Sequence, residues 1–444
     1  RWTTRRIGER RMPRSSKRNN STDAKRGKVA EEDSKKSEKQ EGTAQKASSG
    51  SGRKSGGPVH ARLMEKLNKI GAITPFEHSV VAKPRLWLES EMLNLNWALG
   101  HGVPFGCLWE LIGQESSSKT GLAMSIAASM QRTHNALIIP YDTERLDDSM
   151  LLRTGLDLSK AAIPEPTAKD CLSNVVNNMI TVLQTIIEMN EEGEYDGDGP
   201  TPVIMIWDSI AATATQSMKQ AMSNTRDGVK VGIIAEQMSA TAGQLTIALK
   251  TLHPAIVKAG VLAIFVNQMR VTMATPGVSS WGGPQEHSGG GRALKHAANI
   301  RGKMKYENIY RGFNKGKRDI LRGDQQLGIM CSLEMIKNKL AAPFKKIGFI
   351  NMFKSGIDIA QSNILHALFD LESQEVLPPV INGRVQWGAK KPFVPELAKM
   401  LAEDPIAMAE LKEKILAAQE AMNESITAAD IARMQRESDA AERE

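Results

Sequence analysis

At 444 residues, 41% hydrophobic and 24% charged, the chain can form one large domain with appendages or two ordinary domains. No apolar run is long enough to span a bilayer, and the three cysteines and eight histidines lie scattered without disulfide or zinc spacing, which argues against membrane, secreted and zinc-dependent roles. The net charge of +8 is divided: residues 1–57 hold 17 Lys or Arg against 7 Asp or Glu, whereas residues 401–444 hold 11 acids against 5 bases. A basic arm of this kind suits a polyanion such as nucleic acid, or is a solvated extension.

Residues 1–58 are rich in Ser, Gly, Lys and Arg and nearly free of large apolar side chains, so a disordered basic tail is expected. Within 59–84, HARLMEKLNKIGAI sets Leu63, Leu67 and Ile70 on one helical face before Gly71. Such a helix packs on its own core or docks on a neighbouring subunit. From Leu86 to Phe353 strand and helix signals alternate, which predicts an α/β fold with a mostly parallel central sheet. CLWELIG (Cys107–Gly113) is predicted as a short apolar strand, and the TGLAMSIAASMQ that follows as a helix. ALIIPYD (Ala136–Asp142) and PVIMIWDS (Pro202–Ser209) are unbroken apolar runs that close on an acid. VLAIFVNQ (Val261–Gln268) closes on an amide, and all three read as strands buried on both faces. A smaller mixed domain is expected over 357–425, where FVPELAKMLAEDPIAMAELKEKILAAQEAM (Phe393–Met422) reads as strongly helical, followed by an acidic tail over 426–444.

Polar groups at the carboxyl ends of adjacent parallel strands converge on one crevice. After the first strand comes GQESSSKT (Gly113–Thr120), which opens a helix as a phosphate-binding loop does. There the backbone of Gly113, Gln114, Glu115, Ser116, Ser117, Ser118 and Gly121 would surround phosphate at a helix N-terminus. Lys119 would reach the β and γ oxygens, and the Thr120 hydroxyl would coordinate Mg²⁺. Ser118 stands where such loops carry a second glycine; a left-handed backbone there would cost a non-glycine residue roughly 1–2 kcal/mol. After the second strand come Asp142 and Glu144, and after the third Asp208 and Ser209. Asp208 is placed to hold a Mg²⁺ shell through water, and Glu144 to orient or deprotonate an attacking water. The fourth strand ends in Asn267 and Gln268, whose amide would sense a γ-phosphate.

From about Leu86 to Gly388 the chain resembles the bacterial RecA family of recombinases. ELIGQESSSKTGLA resembles that family's P-loop segment, PYDTERLDD its strand with the catalytic glutamate, and VIMIWDSIAA its Walker B strand. IFVNQMR and the following GGGRALKHAANIR resemble the segment that leads through the second DNA-binding loop, and MIKNKLAAPFKKIGF (Met335–Phe349) is nearly word for word a RecA signature. The resemblance implies a RecA-type P-loop ATPase core with a mostly parallel central sheet over 85–356. An N-terminal oligomerisation helix would precede it over 59–84, and a small C-terminal α/β domain would follow over 357–425. It also implies a cytoplasmic, ATP- and Mg²⁺-dependent protein that forms a homo-oligomeric helical filament on single-stranded DNA and pairs it with a homologous duplex.

Carried over residue by residue, Lys119, Thr120 and Asp208 bind phosphate and metal, Glu144 activates water, and Gln268 links the γ-phosphate to DNA. Lys337 and Lys339 act in trans on the next subunit's ATP. Asp147 and Met150 fall where the family contacts adenine, with Met150 in place of an aromatic. The first DNA loop, about Gln216–Gly232, holds Lys219, Arg226 and Lys230; the second, about Met269–Gly291, holds Arg270, Met273, Trp281, Gly290 and Gly291, with Arg292 beside it. Basic groups with an apolar or aromatic wedge suit a single-strand groove. Glu236 and Gly243 stand where the family presents arginines to DNA, and His296 replaces an interface aromatic. These departures mark a divergent member, of bacterial or phage origin. The rivals are a RecA-fold motor, against which KNKLAAPF argues, and a DNA-binding filament protein with weak or no ATP hydrolysis.

Overall fold

The computed structural model describes residues 69, 86–144, 148–169, 171–194, 199–215, 231–272, 285–288, 291–311, 326–371, 374–378, 380–381 and 384–422. A short antiparallel pair, β1 (Trp87–Leu88) and β2 (Val103–Pro104), flanks helix α1 (Leu93–Leu99). The chain then enters the sheet at β3 (Cys107–Gly113), crosses back through α2 (Lys119–His134) to β4 (Leu137–Asp142), and passes α3 (Asp148–Arg153) and α4 (Leu172–Glu192) to reach β5 (Val203–Asp208). Helix α5 (Val231–Ala259) returns it to β6 (Leu262–Thr272), which pairs with β7 (Gln285–Ser288). After α6 (Gly291–Ala297) come β8 (Ile300–Tyr310), β9 (Gly328–Asn338), β10 (Lys346–Met352) and β11 (Gly356–Ile357). Helices α7 (Ile359–Leu365), α8 (Val394–Glu403) and α9 (405–422) complete the described chain.

The sheet order is β11-β10-β9-β8-β3-β6-β5-β4, with β7 beside β6. The contacts from β8 through β3, β6 and β5 to β4 are parallel; those among β8, β9, β10 and β11 are antiparallel. This is the expected α/β architecture with a mostly parallel centre. Period-two alternation explains how continuous apolar runs fill both sides. Ile204 and Ile206 of β5, with Leu262, Ile264 and Val266 of β6, face the core under α1 and α2. Met205, Trp207, Ala263 and Phe265 face the opposite core, formed with α4 and α5. Trp207 and Phe265 meet edge to face at 5.2 Å, and the Trp207 indole N–H donates to Thr213 at 3.0 Å.

The strongly helical C-terminal run holds with one break, and one strand is longer than expected. The run Phe393–Met422 is two helices, because Pro405 disfavours helical backbone at Asp404, which is extended at φ −123°, ψ 93°. The Asp404 carboxylate then accepts from Ile406 N and Ala407 N, each at 3.1 Å, and caps α9. The strand ending in Gln268 runs on to Thr272, and Met269–Thr272 pair antiparallel with Gln285–Ser288. The β-branched Val271 and Thr272 favour this extension of the strand. The C-terminal helices share a third core with Leu93, Tyr310 and Ile350 of the sheet unit. No helix among the described residues is long and apolar enough to cross a membrane.

Candidate active site

The strand order decides which residues meet. β6 lies between β3 and β5, so the loop after β3, the acid ending β5 and the amides of β6 share one edge. Gly113 pairs with Gln268, and Asp142 with Asp208. A cavity of about 500 Å³ opens there, lined on one side by the loop Glu115–Gly121 with Glu144, Asp208, Ser209 and Gln268. Tyr306, Ile329, Asn351 and Phe353 form the other wall. That volume suits a nucleotide-sized ligand.

The loop is built for close approach. A Cβ on Gly113 would lie 2.6 Å from the Met304 carbonyl oxygen and 2.6 Å from the Ser117 hydroxyl, so only glycine fits there. Ser116 and Ser118 have φ of 58° and 66°. The backbone at Ser118 is thus left-handed without glycine. The Ser117 hydroxyl donates to the Gln114 carbonyl at 2.7 Å, as does the Lys119 ammonium at 2.7 Å. Lys119 is buried, which lowers its pKa against the opposing pull of Asp208, Glu144 and Glu115. A triphosphate would stabilise its charged form.

Thr120 Oγ1 donates to Asp208 Oδ2 at 2.5 Å. The other carboxylate oxygen, Oδ1, is buried without a hydrogen-bond partner. Burial pushes the Asp208 carboxyl up to about 6; Glu144 and Asp142 add to the rise, while the Thr120 hydroxyl and Lys119 oppose it. A hydroxyl beside an orphaned acidic oxygen is a hard oxygen donor set, and it fits Mg²⁺ held partly through water. Glu144 Oε1 accepts from the Ser209 hydroxyl at 2.5 Å and from Gln268 Nε2 at 3.1 Å. Thr143 braces the same corner: its N–H donates to the Asp208 carbonyl at 2.7 Å and its hydroxyl to the Ser209 carbonyl at 3.0 Å.

Other predicted residues lie elsewhere. Lys337 pairs with Arg301, and Arg301 with Glu110, three positions before Gly113, so the lysine sits about 10 Å down the sheet from the P-loop. Its ammonium donates to the carbonyls of Lys295 at 2.6 Å and His296 at 3.2 Å, at the end of α6. Burial, then the charges of Lys339 and Arg301, bring Lys337 down to about 8 against the pull of Glu110. Lys339 is exposed, and neither lysine lines the cavity of its own subunit. Arg292 is exposed on α6, which Gly291 opens, and Arg270 lies in the hairpin opposite His287. Asp147, Lys219, Arg226, Lys230, Met273, Trp281 and Gly290 lie outside the described residues, as do the side chains of Met150, Glu236 and Arg270. The helix expected over 61–70 and the two tails also fall outside them, Lys69 apart.

Sequence reasoning missed the far wall of the cavity, Asn351 included, because β8, β9 and β10 reach the site only through sheet order. It also missed Glu110. That fully buried carboxylate accepts from Arg301 at 2.5 Å and from Asn267 at 2.9 Å. A lone acid inside CLWELIG was the available signal.

A family model described as the RecA N-terminal domain matches residues 64–358. The chain belongs to the RecA family. Among curated relatives, Protein RecA of Chlorobium limicola is 29% identical over 271 residues, 61% of this chain and 65% of that protein. Protein RecA of Clostridium beijerinckii is 29% identical over 272 residues, 61% and 63% respectively. That of Thermus aquaticus is 26% identical over 335 residues, 73% and 83%. The match thus spans just under two thirds of the first two relatives' lengths, and identities this low make the chain a divergent RecA family member.

Proposed function

We propose that the protein is an ATP-dependent recombinase that assembles on single-stranded DNA and exchanges strands with a homologous duplex. One observation carries this reading: Lys119, the Thr120–Asp208 pair and the Glu144–Gln268 pair meet at one sheet edge, in a chain of the RecA family. Lys119 and the loop backbone would bind the triphosphate. Mg²⁺ held by Thr120, and through water by Asp208, would offset phosphate charge. Glu144, oriented by two donors, would take the proton of the attacking water. Asp147 and Met150 would meet the adenine, with Tyr306 and Phe353 offering apolar faces from the opposite wall.

Gln268 ties hydrolysis to DNA. Its amide holds Glu144, and its strand continues to Thr272, paired with Gln285–Ser288. A γ-phosphate competing for that amide would pull on the strand, and Arg270, Met273 and Trp281 beyond it would meet single-stranded DNA, with Lys219, Arg226 and Lys230 of the first loop. Gly290, Gly291 and Arg292 would close the same groove.

Lys337 and Lys339 belong to the neighbouring site in this reading. They sit away from their own P-loop, and two cations entering an interface bind best when a triphosphate is there, so ATP tightens the filament. The acidic end of the chain would compete with DNA for basic surface. Steady-state turnover, with and without single-stranded DNA, tests this. Wild-type protein should be stimulated by DNA, and Lys337→Ala should lose that turnover while its monomer still binds ATP. Full turnover and filaments in Lys337→Ala would end the trans assignment.

A further inference from the structure

We propose that Asn351 is a positioning residue for the phosphate-binding loop: its side-chain amide latches the Ser118 hydroxyl and holds a left-handed turn where glycine usually serves. Ser118 has φ 66° and ψ 28° and stands at the N-cap of α2, yet its side chain makes no capping bond to that helix. Its hydroxyl instead accepts a hydrogen bond from Asn351 Nδ2. A serine that enters the left-handed region does so at a conformational cost, and a partner that bonds only that arrangement offsets it.

Asn351 is well placed to act as the fixed half of the pair. It lies in β10 with Ile329 of β9 on one side and Ile357 of β11 on the other. A Cβ on Gly328 would fall on the Asn351 carbonyl, so the neighbouring strand is packed against its backbone. On the loop side, Gly121 lets the first turn of α2 approach: a Cβ there would lie 3.4 Å from Asn351 Nδ2 and 3.5 Å from Ser118 Oγ. The latch thus joins the antiparallel flank of the sheet to the loop that opens α2. With its hydroxyl turned to β10, Ser118 leaves the loop's backbone N–H groups to the ligand.

The inference rests on reading the cavity as a nucleotide site, and a double-mutant cycle on the full chain tests it. ATP binding with Mg²⁺ is measured for wild type, Asn351→Ala, Ser118→Gly and the double variant. Loss of one hydrogen bond should weaken binding about five- to tenfold in Asn351→Ala. In the Ser118→Gly background the same change should cost less than about twofold, because glycine needs no latch. The loss should appear in KM ahead of kcat. An equal loss in both backgrounds would mean that Asn351 touches the nucleotide directly, and would overturn the latch; so would no loss in the serine background. Thermal unfolding of the four ligand-free proteins reads the pair independently. Non-additive midpoints support it and additive ones contradict it. If wild-type protein bound no ATP while the midpoints stayed non-additive, the nucleotide reading would fail and the latch would stand.

Discussion

Glu144→Gln should lower ATP turnover by about 10²–10⁴-fold and leave ATP affinity nearly unchanged. The substitution is conservative in shape. Both donors to this side chain, Ser209 Oγ and Gln268 Nε2, converge on Oε1, and the amide oxygen of glutamine can accept both. What disappears is the basic carboxylate. Glu144 is exposed at the mouth of the cavity, where water can reach it, whereas Asp208 is buried and already bonded to Thr120. Single-turnover hydrolysis alongside equilibrium binding separates the two effects. Unaltered turnover would place the base elsewhere, with Asp142 next to be tested, since its carboxylate accepts from the Glu144 N–H at 3.0 Å.

Asp208→Asn should raise the stability of the metal-free protein while abolishing Mg²⁺-dependent ATP binding. The sign follows from linkage. A carboxyl moved by burial from 3.8 up to about 6 takes up a proton more readily in the folded state than in the unfolded one. Its contribution to stability is therefore present below about pH 4 and is lost as pH rises through about 6. Above that range the folded protein holds a charged, partly orphaned carboxylate, at a cost of up to about 3 kcal/mol for a shift of this size. Asparagine removes the charge and still accepts from Thr120. In chelator at pH 7.5 the variant should melt higher than wild type, and its midpoint should vary less between pH 4 and 6.5. A variant that is less stable under those conditions would show Asp208 to be structural rather than held ready for a cation.

Much of this site was legible because its chemistry sits at the ends of apolar runs. CLWELIG is a strand with the expected bounds, the strand VIMIWD lies one residue inside the expected run at each end, and Lys119, Thr120, Glu144, Asp208 and Gln268 meet because adjacent parallel strands leave no other place for their ends. Features that depend on pairing were not legible. Asn351 reads as one polar residue in FINMF, and only the position of β10 and the turn at Ser118 bring the two together. Glu110 looks like an exposed face of a strand until Asn267 and Arg301 arrive from its two neighbours. The hairpin beyond Gln268 was hidden by a glycine-rich stretch between its arms, and composition alone did not weigh Pro405 against the strong helical periodicity around it.

Homologous pairing is the property that separates a recombinase from a motor or a passive filament. The most direct measurement is the formation of joint molecules between circular single-stranded DNA and a linear duplex, with ATP and Mg²⁺. Expected are joint molecules that require ATP and sequence homology and that vanish with Lys119→Ala. Filaments that bind DNA and ATP yet pair no homologous duplex would contradict the recombinase assignment.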